Sequence, residues 1–239
     1  MTKMKFGVVV VPGSNCDDDM VHVLQNVMHQ HTEKIWHKDH TLRGFTTQDA
    51  LVLPGGFSYG DYLRAGAIAR FSPIMDAVKE FAAAGGLVIG ICNGFQILCE
   101  AGLLPGVLLR NQNQKFISRN IFLCTENQDT RFTQFIPGGK ILSMPIAHAE
   151  GRFYAPQSEL NQLKANRQII FTYCDAEGAV TPESNVNGSA FNIAGIMNKR
   201  GNVFGMMPHP ERAAEAELGN MDGRLLFESL VQRKAVALV

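Results

Sequence analysis

The sequence lacks an excess of charge of either sign. Its 239 residues include 22 lysines and arginines against 22 aspartates and glutamates, and charged residues make up only 18% of the chain. A balanced chain has no net field to attract DNA, RNA or an anionic membrane surface. We therefore expect neither a nucleic-acid partner nor binding to a membrane.

Long apolar runs are lacking as well. No stretch approaches the roughly 20 consecutive apolar residues of a membrane span. The N-terminal segment MTKMKFGVVVVPGSN has a short apolar run that stops at Pro12 and Gly13, without the small-residue cleavage site of a signal peptide. We expect a first strand at this position and a cytoplasmic protein.

Signals for metal and nucleotide binding are also missing. The five cysteines form no CxxC pair and no zinc-finger spacing, so free thiols are expected. Five of the seven histidines fall between His22 and His40, but no acidic or cysteine partner falls at metal-ligand spacing. There is no GxxxxGK[ST] loop and no carboxylate cluster suited to Mg²⁺. We expect no metal and no cofactor in this chain.

Apolar runs alternate with helical patterns through the first hundred residues. The runs that predict buried strands are KFGVVVV (5–11), EKIWH (33–37), ALVLPGG (50–56) and LVIGI (87–91). Helical patterns separate them, among them SPIMDAVKEFAAAGG (72–86). This alternation predicts right-handed crossovers and an α/β fold, an open, mostly parallel central sheet with helices on both faces, of flavodoxin-like type.

The pattern changes after about residue 104. Antiparallel β-structure is predicted for ISRNIFLCT (117–125), KILSMPIAHAEGRFY (140–154), QIIFTYC (168–174) and FNIAGIMNKRGNVFGMMPH (191–209). KRGN within the last segment predicts a hairpin turn. The segment DGRLLFESLVQRKAV (222–236) predicts a closing amphipathic helix. Because no linker or repeat interrupts the chain, we predict a single domain over residues 1–239 with an antiparallel extension in its C-terminal half.

A cysteine lies between two glycines where a predicted strand meets a predicted helix, in Gly90-Ile91-Cys92-Asn93-Gly94. A strand that turns straight into a helix bends at one strained residue, and flanking glycines remove Cβ atoms that would collide, as in the nucleophile elbow of hydrolases. The helix N-terminus favours a thiolate. We predict that Cys92 is a nucleophile, and the alternative is a small apolar filler at the end of a buried strand.

A thiol nucleophile requires a base, and the base requires a group that orients it. The segment GNVFGMMPHPER supplies both, because His209 and Glu211 are two residues apart after an apolar run. Pro210 predicts an extended segment, in which residues i and i+2 point the same way. Glu211 can then accept one imidazole N–H while the other ring nitrogen faces Cys92. The alternative is a loop histidine beside a surface ion pair.

A third loop, LPGGFSYGDYLRAGAIA (53–69), follows a predicted strand. Attack on an amide creates an oxyanion that backbone N–H groups must stabilise. We predict that the pair Gly55-Gly56 presents one such donor without side-chain obstruction and that Asn93 presents the second. Ligands of open parallel sheets bind beyond the carboxyl ends of the strands, where all three loops lie.

Together these motifs resemble the class I, triad-type glutamine amidotransferases, through Gly-x-Cys-x-Gly-x-Gln, an upstream Pro-Gly-Gly and a late His-Pro-Glu. A longer set of segments is similar to the glutaminase subunits of phosphoribosylformylglycinamidine synthases. These are PGSNCDDD, LPGGFSYGDYLRAGAIA, GICNGFQIL, PIAHAEGRF and MMPHPER, spread over about residues 12–212. One position departs from the family, since Ala149 stands where a glycine is usual.

The resemblance implies the same roles for the cysteine, the His-x-Glu pair and Asn93, and it assigns the other oxyanion donor to Gly56. It adds Gln96 as a glutamine-binding residue, and we expect Gly55 to bind glutamine as well. In this family the thiolate attacks the side-chain amide of glutamine, the histidine protonates the departing ammonia, and water releases glutamate from the thioester. The fold it implies is that of the class I glutamine amidotransferases.

The resemblance also implies partners. The ammonia passes to a large synthetase subunit that uses ATP and Mg²⁺ to convert formylglycinamide ribonucleotide to formylglycinamidine ribonucleotide in purine biosynthesis, and a small subunit bridges the two. Since this chain has no motif for ATP chemistry, we expect ATP and Mg²⁺ on the partner. Residues 57–70 and 148–153 are candidates for partner contact.

Two other functions stay open at this point. A stand-alone cysteine γ-glutamyl hydrolase or peptidase would share the triad and the fold, but it would act without a synthetase. A non-catalytic flavodoxin-like binding module would not require an elbow together with a His-x-Glu pair. Non-catalytic relatives with a cysteine elbow typically carry histidine directly after the cysteine, where this chain has Asn93.

Overall fold

The computed structural model describes residues 4–232, and within that range the chain forms eleven β-strands and five α-helices. The strands are β1 (Lys5–Val10), β2 (His31–Trp36), β3 (Ala50–Leu53), β4 (Leu87–Ile91), β5 (Val107–Leu109), β6 (Ile117–Thr125), β7 (Leu142–His148), β8 (Arg152–Tyr154), β9 (Ile169–Cys174), β10 (Ile193–Met197) and β11 (Val203–Met206). The helices are α1 (Asp17–His22), α2 (Ile74–Ala83), α3 (Asn93–Glu100), α4 (Gln157–Ala165) and α5 (Arg224–Val231). The last predicted helix thus begins at residue 224, and its residues 233–236 lie outside the described part of the chain.

Nine strands form one mixed sheet in the order β2-β1-β3-β4-β11-β10-β9-β6-β7, and β5 pairs separately with β8. The neighbours from β2 to β11 pair in parallel, and those from β11 to β7 pair antiparallel. The predicted α/β class with an antiparallel extension is confirmed. The segment 140–154, predicted as one stretch of β-structure, is divided between β7 in the large sheet and β8 in the small one.

Strand β11 belongs to both parts of the sheet. It is antiparallel to β10, as the KRGN hairpin predicts, and parallel to β4. Ile91 at the end of β4 is the register partner of Met206 at the end of β11. Because the two strands run in the same direction, the segments that leave them begin side by side at one edge of the sheet.

The parallel part of the sheet is covered on both faces. Every residue of β3, β4 and β11 is buried, and successive side chains of a strand point to opposite faces. Helix α1 packs against β1 and β2, α2 against β4, and α3 against β3, β4 and β11. No helix within residues 4–232 is long and apolar enough to cross a membrane.

The last strand of the antiparallel part, β7, lies close to the end of β4, where the carbonyl of Ala147 is 3.8 Å from the sulfur of Cys92. Strand β7 is the last strand in the order, so one of its edges has no strand beside it among residues 4–232. On that edge the carbonyl of Pro145 accepts a hydrogen bond from the backbone N–H of His209 at 2.9 Å. The carbonyl of Ala149, just beyond the strand, accepts one from Asn111 at 2.8 Å. This edge therefore holds the segment that follows β11.

The glycines around Cys92 permit close backbone packing. A Cβ at Gly90 would lie 2.6 Å from the carbonyl carbon of Gly94, and a Cβ at Gly94 would overlap the carbonyl oxygen of Leu53. Both contacts are with backbone, which cannot move aside as a flexible side chain can. Helix α3 therefore rests directly on the ends of β3 and β4.

This packing predicts a large cost for Gly94→Ala. The added methyl group must push α3 away from Leu53, so we expect the free energy of unfolding to fall by about 3 kcal/mol or more in a denaturant titration. Gly138→Ala is the matched control, because its added Cβ would lie 3.4 Å from the nearest atom, the end of the Gln128 side chain. Equal stability of the two variants would contradict this packing.

Candidate active site

Cys92 lies at the junction of β4 and α3 in a strained backbone conformation. Its φ is +50° and its ψ is −105°, a region that non-glycine residues rarely occupy and that costs about 1–3 kcal/mol. Its backbone N–H donates to the carbonyl of Met206 at 2.8 Å, and its carbonyl accepts from Gln96 at 3.2 Å. These two hydrogen bonds hold the strained residue between the sheet and the helix, as the elbow prediction requires.

His209 and Glu211 form a buried pair just beyond β11. The Nδ1 atom of His209 lies 2.6 Å from Oε1 of Glu211, and the two side chains are 2% and 0% exposed. The predicted extended conformation through Pro210 is wrong, because residues Pro210–Arg212 form a single turn of 3-10 helix. The turn, rather than the alternation of an extended chain, brings the carboxylate back to the ring.

The structure brings Cys92 close enough to this imidazole to raise its pKa. The carboxylate of Glu211 accepts a proton from Nδ1, which leaves Nε2 of His209 buried and with no hydrogen-bond partner within residues 4–232. Burial lowers the pKa of His209, but Glu211 and Cys92, together with Cys16, outweigh burial and hold the pKa well above its usual value. The sulfur of Cys92 lies 3.8 Å from the carbonyl oxygen of Ala147, on the free edge of β7.

The glycines of the Pro-Gly-Gly loop pack against the same site. A Cβ at Gly55 would lie 2.7 Å from Cε1 of His209, so this glycine contacts the imidazole directly. Gly56 has a φ of +148°, and a Cβ there would lie 2.8 Å from the backbone nitrogen of Asn15. The roles predicted for them, glutamine binding and oxyanion stabilisation, stay predictions.

Asn93 and Gln96 connect the elbow to two neighbouring loops. Oδ1 of Asn93 accepts from the backbone N–H of Ser58 at 3.0 Å, and its Nδ2 donates to Oε1 of Gln96 at 2.8 Å. Nε2 of Gln96 donates to the carbonyl of Glu150 at 2.6 Å. Both side chains thus fix loop positions beside Cys92, and their predicted parts in oxyanion and glutamine binding stay predictions.

His148 is a site residue that the sequence analysis did not identify. The amide Nδ2 of Asn111 donates to the carbonyls of Lys115 and His148, so its Oδ1 accepts from Nδ1 of His148 at 3.1 Å. Nε2 of His148 is therefore an acceptor, buried and unpaired within the described chain. Burial and the nearby His209 lower the pKa of His148 to about 4. Its only sequence signal is its position in the HAEG segment.

Asp61 lies in the loop 53–69, within the segment predicted to contact a partner. Its carboxylate accepts from Nδ2 of Asn93 at 3.3 Å. Burial, and then the charge of Glu150, raise the pKa of Asp61 to about 6, although the hydrogen bond from Asn93 opposes them. Two carboxylates thus lie near the Asn93–Gln96 pair.

Ala149 stands where a glycine is usual in the family. It is not among the residues of the described chain that have a positive φ, so its methyl group causes no backbone strain.

One cluster of described residues has side-chain atoms close enough to share a metal ion, namely Cys16, His209 and Glu211, whose ligand atoms lie within 4.8 Å of one another. Nη2 of Arg212 lies 3.2 Å from the Cys16 sulfur, and this guanidinium charge opposes a cation there. The pair His209–Glu211 is moreover already hydrogen-bonded. The cluster fits a proton-transfer site better than a metal site.

A strained cysteine elbow and a buried histidine–glutamate pair at the edge of a mixed sheet define a cysteine-dependent amidotransferase of the class I type. The sequence model of the CobB/CobQ-like glutamine amidotransferase domain matches residues 3–224. The chain belongs to that family, and within it to the PurQ subunits of phosphoribosylformylglycinamidine synthase.

The relatives support this assignment over nearly the whole chain. The PurQ subunit from Moorella thermoacetica is 58% identical over 95% of each chain. The PurQ subunit from Chlorobaculum tepidum is 52% identical over 99% of this chain and 100% of its own. The structure of PurLQS from Thermotoga maritima matches with a TM-score of 0.83 and 41% identity, covering 96% of this chain and 98% of the other.

The raised pKa of Asp61 predicts a pH-dependent stability. The folded chain binds this proton more tightly than the unfolded chain, so the associated stability is present at low pH and is lost as the pH rises from 3.8 through about 6. Asp61→Asn removes the charge, so the free energy of unfolding of this variant should exceed that of the wild type at about pH 7.5. The difference should be smaller at about pH 5.

Denaturant titration at the two pH values measures the difference. Asp76→Asn is the matched control, because it removes one carboxylate whose side chain is 87% exposed on α2. A gain for Asp61→Asn that is the same at both pH values, or no gain, would contradict the buried-carboxylate interpretation.

Proposed function

We infer that this chain is the glutaminase subunit of a phosphoribosylformylglycinamidine synthase, which hydrolyses glutamine and delivers ammonia to a synthetase subunit. The observation that carries this is the strained Cys92 beside the buried His209–Glu211 pair. The full-length PurQ relatives supply the specific reaction.

The mechanism begins with proton transfer from the Cys92 thiol to Nε2 of His209. The raised pKa of His209 favours the imidazolium, so the thiolate and the imidazolium form a pair. The thiolate attacks the side-chain carbonyl carbon of glutamine, and the imidazolium then donates its Nε2 proton to the departing nitrogen, which leaves as ammonia. Water, deprotonated by the neutral His209, attacks the thioester and releases glutamate.

The oxyanion of the two tetrahedral intermediates requires donors that are fixed before the reaction. We assign these to the backbone N–H groups of Gly56 and Asn93. The tie between Asn93 and Ser58 at 3.0 Å fixes the elbow relative to the Pro-Gly-Gly loop, which supports this assignment. Gly55 and Gln96 are proposed to line the glutamine site.

The ammonia is consumed by a partner. The PurLQS structure from Thermotoga maritima contains related subunits in one complex, and this chain likewise works with a large synthetase subunit and a small bridging subunit. ATP and Mg²⁺ are proposed to bind the synthetase, since this sequence has no phosphate-binding loop. A stand-alone γ-glutamyl hydrolase would not be 52–58% identical to synthase subunits over its length.

The proposed location of the protein is the cytoplasm.

The segment 57–70 is the proposed contact with these partners. Three of its apolar side chains are 44–87% exposed, namely Phe57, Tyr62 and Leu63, and the next residue, Phe71, is 72% exposed. Large apolar side chains that cluster on an exposed surface are typical of interaction sites. The other predicted contact, residues 148–153, consists of buried and half-buried residues, and it stays a prediction.

The Cys92→Ala variant tests the proposed function. In the complex reconstituted with the synthetase and the small subunit, glutamine-dependent synthesis should vanish while synthesis from free ammonium persists, because only the nucleophile is removed. Cys99→Ala is the control, since that thiol lies on α3 with its sulfur 3.6 Å from the carbonyl of Pro105. Glutamine-dependent synthesis that survives in Cys92→Ala would refute the nucleophile.

The Leu63→Asp variant tests the interface. Leu63 is 87% exposed, so the isolated chain should keep its stability, but a charge in an apolar contact should raise the dissociation constant of the complex by about tenfold or more. Met221→Asp, at a side chain 46% exposed elsewhere on the surface, is the control. Sedimentation velocity of each variant mixed with the partner subunits measures the association. If Leu63→Asp associates as tightly as the wild type, this loop is not the contact.

A further inference from the structure

The segment PGSNCDDD contributes Cys16, which the proposed function leaves without a role. Cys16 precedes α1 and is 3% exposed. Its backbone N–H donates to the carbonyl of Gly55 at 3.3 Å, which ties this loop to the Pro-Gly-Gly loop. The side chain is therefore held on the inner side of the candidate active site.

The sulfur of Cys16 lies between the imidazole and a fixed guanidinium. Nη2 of Arg212 donates to the sulfur at 3.2 Å, and Nε of the same residue donates to Asp19 at 3.1 Å. The sulfur, a ring nitrogen of His209 and a carboxylate oxygen of Glu211 all lie within 4.8 Å of one another. The imidazole thus meets a second cysteine in addition to the nucleophile.

Gly55 makes this contact possible. A Cβ at this position would lie 2.7 Å from Cε1 of His209 and 3.2 Å from the sulfur of Cys16. A side chain there would separate the two groups. Ring and sulfur therefore pack against the same bare stretch of backbone, which leaves the imidazole little freedom to rotate.

We propose that Cys16 is a positioning residue of the glutaminase reaction, whose sulfur, oriented by Arg212, holds the His209 imidazole against Glu211 while the ring accepts and returns the proton. The proposal rests on the proposed function and goes beyond it, because it assigns a second thiol to the proton-transfer machinery. The sulfur lies within 4.8 Å of a ring nitrogen of the base, and it is not assigned a contact with glutamine.

The charges around His209 give this role a measurable consequence. The ring faces Glu211 from its own segment, Cys92 from the β4–α3 junction, Cys16 from the loop before α1, and His148 from the end of β7. Burial lowers the pKa of His209, whereas Glu211, Cys92 and Cys16 raise it. Removing the sulfur of Cys16 should therefore lower this pKa and move the alkaline limb of the pH–rate profile to lower pH.

The experiment compares Cys16→Ala and Cys16→Ser in the reconstituted complex, with Cys99→Ala as the control for loss of a buried thiol. Glutamine-dependent kcat, the KM for glutamine, the pH profile and ammonium-dependent synthesis are measured for each. We expect Cys16→Ala to lose about 10- to 100-fold in kcat, with KM within about threefold of wild type and the alkaline limb shifted down. Cys16→Ser should recover most of the rate, because its hydroxyl still accepts from Arg212.

Ammonium-dependent synthesis, which should equal that of the wild type, reports whether each variant is folded and assembled. A Cys16→Ala rate within about twofold of wild type would overturn the proposal. So would equal losses in both variants with an unmoved alkaline limb, since that is the result of a merely structural role. In either case Cys92→Ala should still lose glutamine-dependent synthesis. If the proposed function itself is wrong, Cys92→Ala keeps that synthesis, so the two failures can be distinguished. If Cys16→Ala does not fold, the kcat of Arg212→Met decides, because this variant removes the donor to the Cys16 sulfur, and a wild-type kcat there would overturn the proposal.

Discussion

The backbone of Cys92 is the constraint on which the site depends. A residue with φ of +50° is held there only if its surroundings permit no relaxed alternative. The ladder hydrogen bond to Met206 at 2.8 Å fixes it from the sheet. Helix α3 fixes it from the other side, because Gly94 lies against the carbonyl of Leu53 without room for a methyl group. The thiol is thereby presented at the carboxyl edge of the sheet and at the N-terminus of α3.

The same strand pairing positions the base. Ile91 and Met206 are register partners at the ends of two parallel strands, so the chain that follows each strand enters the same space. Cys92 is the next residue after one strand, and His209 is three residues beyond the other. The free edge of β7 completes the arrangement, because the carbonyl of Pro145 accepts from His209 at 2.9 Å. The relation between thiol and imidazole thus follows from sheet register rather than from flexible loops.

Local features of the sequence predicted the elbow well and the long-range contacts poorly. Cys92 could be identified because strand, glycines and helix are all adjacent in the chain. The His209–Glu211 pair was predicted, but its conformation was not, since proline allows both an extended segment and the first position of a helical turn. Cys16 and His148 acquire their surroundings only through distant residues. The parallel pairing of β11 with β4 was likewise invisible, because a hairpin pattern does not reveal the neighbour on its other side.

The most direct test of this account is to identify the cysteine that carries the covalent intermediate. The complex is mixed with glutamine, quenched in acid during turnover, digested and examined by mass spectrometry. We expect a glutamyl group on the peptide that contains Cys92 and none on the peptide that contains Cys16. A glutamyl group on Cys16, or continued turnover in the absence of any label on Cys92, would contradict the claim that the strained thiol is the nucleophile.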